Sequence, residues 1–286
     1  MRLATFTQAG RSRCGAVIGD QIVDLAAAGL PAVMAELFAV DLDRLRDVVD
    51  TGLHRIDLGD IALAAPVPRP GKLLAIGLNY ADHAAETGRD LPEIPVVFNK
   101  QTTCVNRDGG AIEIPRASSR VDYEGELAFV IGRRCRHVRA EDASEVIAGY
   151  TILNDISVRD WQKRSPTMTM GKSFDTHGPM GPWIVTPDEI GDPHTLAIRT
   201  FVNDGCVQDS NTGQMIFSCF DIVAHLTEAF TLEPGDVIST GTPSGVGSMR
   251  EPPLWLKAGD TVRVEIEKIG ALTNPVVDEP IEPNHR

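Results

Sequence analysis

Glu124-Gly125-Glu126 followed by Leu127-Ala128-Phe129-Val130-Ile131 is the segment that most narrows the fold: two carboxylates around a glycine, then an unbroken apolar run. Side chains alternate between the faces of a strand. An extended reading therefore puts Glu124 and Glu126 on one side and Leu127, Phe129 and Ile131 on the other. Two readings of the carboxylates stay open at this point. They form the wet face of an edge strand, as one-sided sheets commonly do, or they share a cation, because like charges on an otherwise apolar strand repel. Magnesium, manganese and calcium take oxygen ligands, and a site with few carboxylates leaves positions for water and substrate. Asp155, in Leu153-Asn154-Asp155-Ile156, is a third candidate ligand.

The chain's bulk properties bound the setting. Its 286 residues suffice for one large domain, or a small one and a larger one, with a sizeable core. A formal net charge of -13 argues against nucleic acid as partner, since phosphate recognition needs a clustered basic surface. Five cysteines, Cys14, Cys104, Cys135, Cys206 and Cys219, are scattered and without CxxC spacing. That pattern fits reduced thiols better than a disulfide framework or a zinc site. Met1 to Gln8 lacks the sustained apolar core of a signal peptide, and no stretch is long enough to span a bilayer. A cytoplasmic protein with no membrane partner is the expectation.

Punctuation along the chain suggests two parts. Ala16-Val17-Ile18 and Gln21-Ile22-Val23 flank Gly19-Asp20 and read as a hairpin. Helical patterns follow up to about His54, the second placing Leu42, Leu45 and Val49 on one stripe. The proline-rich Ala65-Pro66-Val67-Pro68-Arg69-Pro70-Gly71 breaks any periodic element, so a small N-terminal domain over 1–68 and a larger one over 72–286 are expected. Beyond the linker β-type runs dominate: 72–76, 127–131, 150–153, 196–202, 236–238 and 261–266. One helix is announced by Ser218 with Asp221 three residues on, a capping box, and by Ile222, Val223, Leu226 and Phe230.

Three further constellations carry polar chemistry. In Asn79-Tyr80-Ala81-Asp82-His83-Ala84-Ala85-Glu86, a helix would put His83 and Glu86 on one face, where the carboxylate orients the imidazole as a general base, or where the two form an ordinary surface pair. Gln162 and Lys172, in Arg159-Asp160-Trp161-Gln162 and Gly171-Lys172-Ser173-Phe174, can hold carboxylate or enolate oxygens, or serve solubility. Thr240-Gly241-Thr242-Pro243-Ser244-Gly245 could cradle an anion on its amides or be a tight turn, and it lacks the spacing of a nucleotide loop.

In this order the segments resemble the fumarylacetoacetate hydrolase family of metal-dependent enzymes acting on 2-oxo acids. The resemblance runs from about Lys72 to Ile266 and rests on Asn79 to His83, Glu124-Gly125-Glu126, Asn154-Asp155, Arg159 to Gln162, Gly171 to Phe174 and Thr240 to Pro243. It implies an α+β, mostly β fold: a mixed β-sandwich roll preceded by a small N-terminal α+β domain, assembled as a homodimer. It also implies Mg2+ or Mn2+, or Ca2+ in a crystal, held by Glu124, Glu126 and Asp155. His83 and Glu86 match the family's water-activating dyad on a lid, while Gln162, Lys172 and Thr242 match substrate-holding residues. Leu78 departs from the pattern, since some similar acylpyruvate hydrolases carry a substrate-binding arginine there.

The implied reaction is hydrolysis of a 2,4-dioxo acid between its third and fourth carbons. Acylpyruvates, fumarylpyruvate and 2,4-dioxo-3-deoxy sugar acids are substrates of this kind, and the products are pyruvate or a substituted pyruvate and a carboxylic acid. The same family offers oxaloacetate decarboxylases, hydroxymuconate-type isomerases and ureidoglycolate lyases as alternatives. A metal-binding structural β-protein is the non-enzymatic one.

Overall fold

The computed structural model describes residues 1–281. Two large sheets build it, with a small two-stranded one of Val121–Asp122 and Ser157–Val158 beside them. In the twelve-stranded sheet, Gly125–Ile131 lies in the middle, antiparallel to Ile147–Asn154 on one side and to Val237–Ser239 on the other. The carboxylate-bearing strand is therefore central, and the edge-strand reading fails. Val237–Ser239 in turn runs parallel to Leu73–Gly77, with Val96–Asn99 closing that side. A second, five-stranded sheet contains Gly205–Asn211, Ala197–Val202, Thr261–Ile266, Gly270–Asp278 and Ile112–Ile114.

The alternation along the central strand explains how the layers meet. Leu127, Phe129 and Ile131 are fully buried against Ile198, Val264, Ile266 and Leu272 of the second sheet. Ala128 and Val130 face the other way, into a core shared with Leu3, Val23, Leu37 and Leu45 of the N-terminal segment. A strand covered on both sides reads as continuous apolar sequence, which is what residues 127–131 present. The N-terminal hairpin forms as its turn signal predicts, with Ile18 opposite Gln21. Arg2–Gln8 of the same segment continues the large sheet by pairing with Gly178–Val185.

Helices cover what the sheets leave open. Leu42–Asp50 starts at Asp41, whose side chain accepts from the Asp43 amide, and buries Leu45. Cys219–Ala229 opens on the Ser218/Asp221 capping box and buries Ile222, Val223 and Leu226. Such a reciprocal cap satisfies amides that would otherwise lack partners, worth ~1 kcal/mol. All five cysteines are unpaired thiols. Among the described residues no helix is long and apolar enough to cross a membrane.

Candidate active site

Strand direction brings the polar segments together. The start of Gly125–Ile131, the end of Ile147–Asn154, the end of Val237–Ser239 and the end of Leu73–Gly77 all lie at one margin of the sheet. Glu124 and Glu126, Asp155, the glycine-rich loop from Thr240 and the Asn79 to Glu86 segment follow or precede those four ends. Their convergence is thus a consequence of topology.

Glu124, Glu126 and Asp155 are 5%, 2% and 0% exposed, so they do not form a solvated face. Each offers a carboxylate oxygen within 4.8 Å of the others. The backbone fixes two of them directly: the Asp155 amide donates to the Glu124 carbonyl at 2.8 Å, and the Glu124 amide to the Asn154 side chain at 3.1 Å. Glu126 accepts from the Ser239 hydroxyl at 2.5 Å and the Gly241 amide at 2.9 Å. Gly241 sits at φ +94° with Ile76 and Asn79 so close that no side chain fits.

Gly125 is dictated from the other side of the strand. A methyl group there would meet the Thr200 hydroxyl and approach Val264 to 2.9 Å. Gln208 reaches the same spot, accepting from the Gly125 amide at 3.0 Å while donating to Thr242 Oγ1 at 2.8 Å. Gly125→Ala is expected to lower stability by ~1–3 kcal/mol through overpacking and to weaken Mn2+ binding by displacing both flanking carboxylates. Thermal unfolding and calorimetric metal titration would measure the two effects.

Charge balance in the site is mixed. Lys172 Nζ lies 2.6 Å from Glu124 and 2.7 Å from Asp155. Arg159 donates from Nε to Asp122 at 2.8 Å, and its Nη2 lies 2.7 Å from Glu124, out of line for a hydrogen bond. Burial would raise the Glu124 carboxyl, but the Lys172 and Arg159 charges outweigh it and hold it down at about 2. Glu126 has no such cation in contact. Burial, together with Asp155 and Glu124, pushes its carboxyl well above the usual range. A divalent ion among the three would relieve that repulsion, and three all-oxygen donors suit magnesium or manganese.

Lys100 escaped the sequence reading altogether. Its side chain is fully buried, with Nζ donating to Asp155 at 2.6 Å and to the Lys172 carbonyl. No local pattern marks it, because its burial comes from a segment 55 residues away in sequence. Formally, Asp122, Glu124, Glu126 and Asp155 face Lys100, Arg159 and Lys172, leaving one negative charge that a divalent ion would turn positive. Such a centre attracts an anionic ligand.

His83 and Glu86 do share a helical face, on Ala81–Thr87. His83 Nδ1 is 2.8 Å from Glu86, whose other oxygen accepts from the Gly245 amide at 2.8 Å. Asn79 anchors the helix entrance, its side chain bonding the Phe217 backbone on both sides and the Thr240 carbonyl. The dyad is therefore tied to the glycine-rich loop, and His83 lines the same cavity, of about 560 Å³, as Glu124, Glu126, Gln162, Lys172 and Thr242. Gln162 accepts from Arg159 Nη1 at 3.0 Å, and Thr242 Oγ1 donates to the Gly125 carbonyl at 3.0 Å. Leu78 lines the cavity as well.

Comparison with known proteins agrees with this architecture. Residues 72–277 match the family described as fumarylacetoacetate (FAA) hydrolase C-terminal. A mitochondrial oxaloacetate tautomerase from Xenopus laevis is 44% identical over 266 residues, covering 91% of this chain and 83% of its own. Its counterpart from Rattus norvegicus is 41% identical over 266 residues, covering 91% and 85%. Among solved structures, maleylpyruvate hydrolase from a Sphingobium species, in complex with manganese(II) and pyruvate, superposes with a TM-score of 0.82 at 34% identity, covering 98% of this chain and 100% of that one.

Proposed function

The chain belongs to the fumarylacetoacetate hydrolase family, and on that premise we propose that it hydrolyses a 2,4-dioxo acid to pyruvate, or a substituted pyruvate, and a carboxylic acid. The observation that carries this reading is the His83–Glu86 pair, fastened through Gly245 and opening on the cavity that holds the carboxylate triad. A base oriented by a carboxylate beside an oxyanion-stabilising centre is what addition of water to a carbonyl requires.

Glu124, Glu126 and Asp155 would hold Mg2+ or Mn2+, which supplies Lewis-acid stabilisation of a 2-oxo acid's developing enolate charge. Glu86 keeps the His83 Nδ1 hydrogen bonded, so Nε2 takes the proton from water. The hydroxide adds to the 4-oxo carbon; the bond between carbons 3 and 4 then breaks with its electron pair left on carbon 3. Lys172 places a positive charge beside that enolate, and Gln162 and Thr242 orient the carboxylate end. Reprotonation at carbon 3 gives pyruvate.

A second reading is favoured by the 44% and 41% identity to proteins named oxaloacetate tautomerases. There His83 would move a proton between carbon 3 and the 2-oxygen, with no water consumed. Incubating the protein and Mn2+ with acetylpyruvate, fumarylpyruvate and maleylpyruvate tests the first reading. Pyruvate plus the matching acid, suppressed by a chelator, is expected. Accelerated enol-to-keto conversion of oxaloacetate without any C–C cleavage would replace it by the second, and pyruvate plus carbon dioxide from oxaloacetate would favour decarboxylation over both.

A further inference from the structure

Three cations stand at the cavity with no carboxylate in reach. Arg89 follows the His83 helix, Arg120 precedes the short strand Val121–Asp122, and Lys163 follows the helix Arg159–Gln162. All three line the cavity and are exposed. Among the described residues none of them has an ion-pair partner within 4.0 Å, although Asp and Glu outnumber Lys and Arg by 40 to 27 in the chain. Three from separate segments, unpaired around one opening, form a local field opposite in sign to the molecule as a whole.

The buried cations are already engaged. Lys100, Lys172 and Arg159 contact Asp155, Glu124 and Asp122 and belong to the chelating end of the site. Leu78 adds no charge to the cavity wall. Asp160 is the acid lining the cavity besides Glu124 and Glu126, and it accepts from the Ser118 hydroxyl at 2.6 Å. A ligand's second negative charge would therefore meet only the rim.

We propose that Arg89, Arg120 and Lys163 form a second anion subsite at the cavity mouth, which selects 2-oxo acids carrying a distal carboxylate. The inference rests on reading the cavity as a 2-oxo acid site, and it extends that reading from the chelated end to the far end of the substrate. Guanidinium groups recognise carboxylates in a planar, bidentate manner, and exposed charges act on capture more than on the chemical step.

The test compares 2-oxoadipate with 2-oxohexanoate, a pair of equal chain length differing only in the distal carboxylate. Neither has a 4-oxo group, so neither can be cleaved, and calorimetric binding in the presence of Mn2+ is read independently of turnover. The dianion is expected to bind about tenfold more tightly, equivalent to ~1.4 kcal/mol. In the variant combining Arg89→Gln, Arg120→Gln and Lys163→Gln, that ratio should fall to near one. All three side chains are exposed, so the fold is retained, which circular dichroism would check. Equal binding of the two acids by the unaltered protein, or an unchanged ratio in the variant, overturns the subsite. Failure to hydrolyse any 2,4-dioxo acid would overturn the hydrolase reading and leave the binding ratio standing.

Discussion

Glu126→Gln is expected to abolish metal-dependent turnover and yet make the metal-free protein more stable. The amide oxygen introduced by this substitution can keep accepting from the Ser239 hydroxyl and the Gly241 amide, so those bonds survive. What disappears is a buried negative charge that burial and the neighbouring Asp155 and Glu124 disfavour. A carboxyl whose folded-state pKa is raised binds its proton more tightly in the folded protein, so stability falls as pH rises from the unfolded value towards the folded one. Removing the charge removes that loss, so the metal-free variant should unfold at a higher midpoint than its parent. Mn2+ affinity should drop by more than about 100-fold, because an amide is a poor substitute for a third carboxylate. Unfolding curves with and without Mn2+ would measure both: the metal should raise the midpoint of the unaltered protein and leave the variant's where it was. A variant less stable than its parent without metal would mean that Glu126 is held by a cation of the protein itself.

Glu124 makes the opposite case with the same chemistry. Its removal takes from Lys172 and Arg159 one of the two carboxylates each contacts, leaving Asp155 and Asp122 to hold them, so stability should fall rather than rise. Two carboxylates two residues apart thus differ in what they do for the fold. The sequence pattern treats them as equivalent.

That difference marks what could and could not be read beforehand. Periodicity carries local geometry, so the pairing of His83 with Glu86, the Ser218–Asp221 box and the hairpin about Gly19-Asp20 were all legible. The common side of Glu124 and Glu126 was legible too, but whether that side was wet depended on Ile147–Asn154 and Val237–Ser239, whose pairing no local pattern records. Lys100 looks like any polar residue after a short strand; only the fold delivers it to Asp155. Gly125 is required by Thr200 and Val264 from the other sheet, a contact that no local pattern records. Two-residue strands such as Ala62–Leu63 and Val105–Asn106 are too short to show any alternation.

His83→Ala separates the proton chemistry from the metal chemistry. The imidazole is not within the carboxylate triad; it is held by Glu86, and through Glu86 by Gly245 on the glycine-rich loop. Loss of a general base typically costs roughly 10²–10⁴-fold in rate, so kcat for 2,4-dioxo acid hydrolysis should fall in that range while Mn2+ affinity changes less than about threefold on the same scale of reasoning. Glu86→Gln should lie between, because an amide can still accept from Nδ1 but no longer stabilises the imidazolium formed when water is deprotonated. The order His83→Ala, then Glu86→Gln, then the unaltered protein is the signature of a dyad. If His83→Ala instead lost metal in step with activity, the histidine would be a ligand and the water would need another base. If hydrolysis survived in both variants, the enolate-stabilising half of the site would be sufficient for the reaction. The tautomerase reading, which asks nothing of water, would then gain what the hydrolase reading lost.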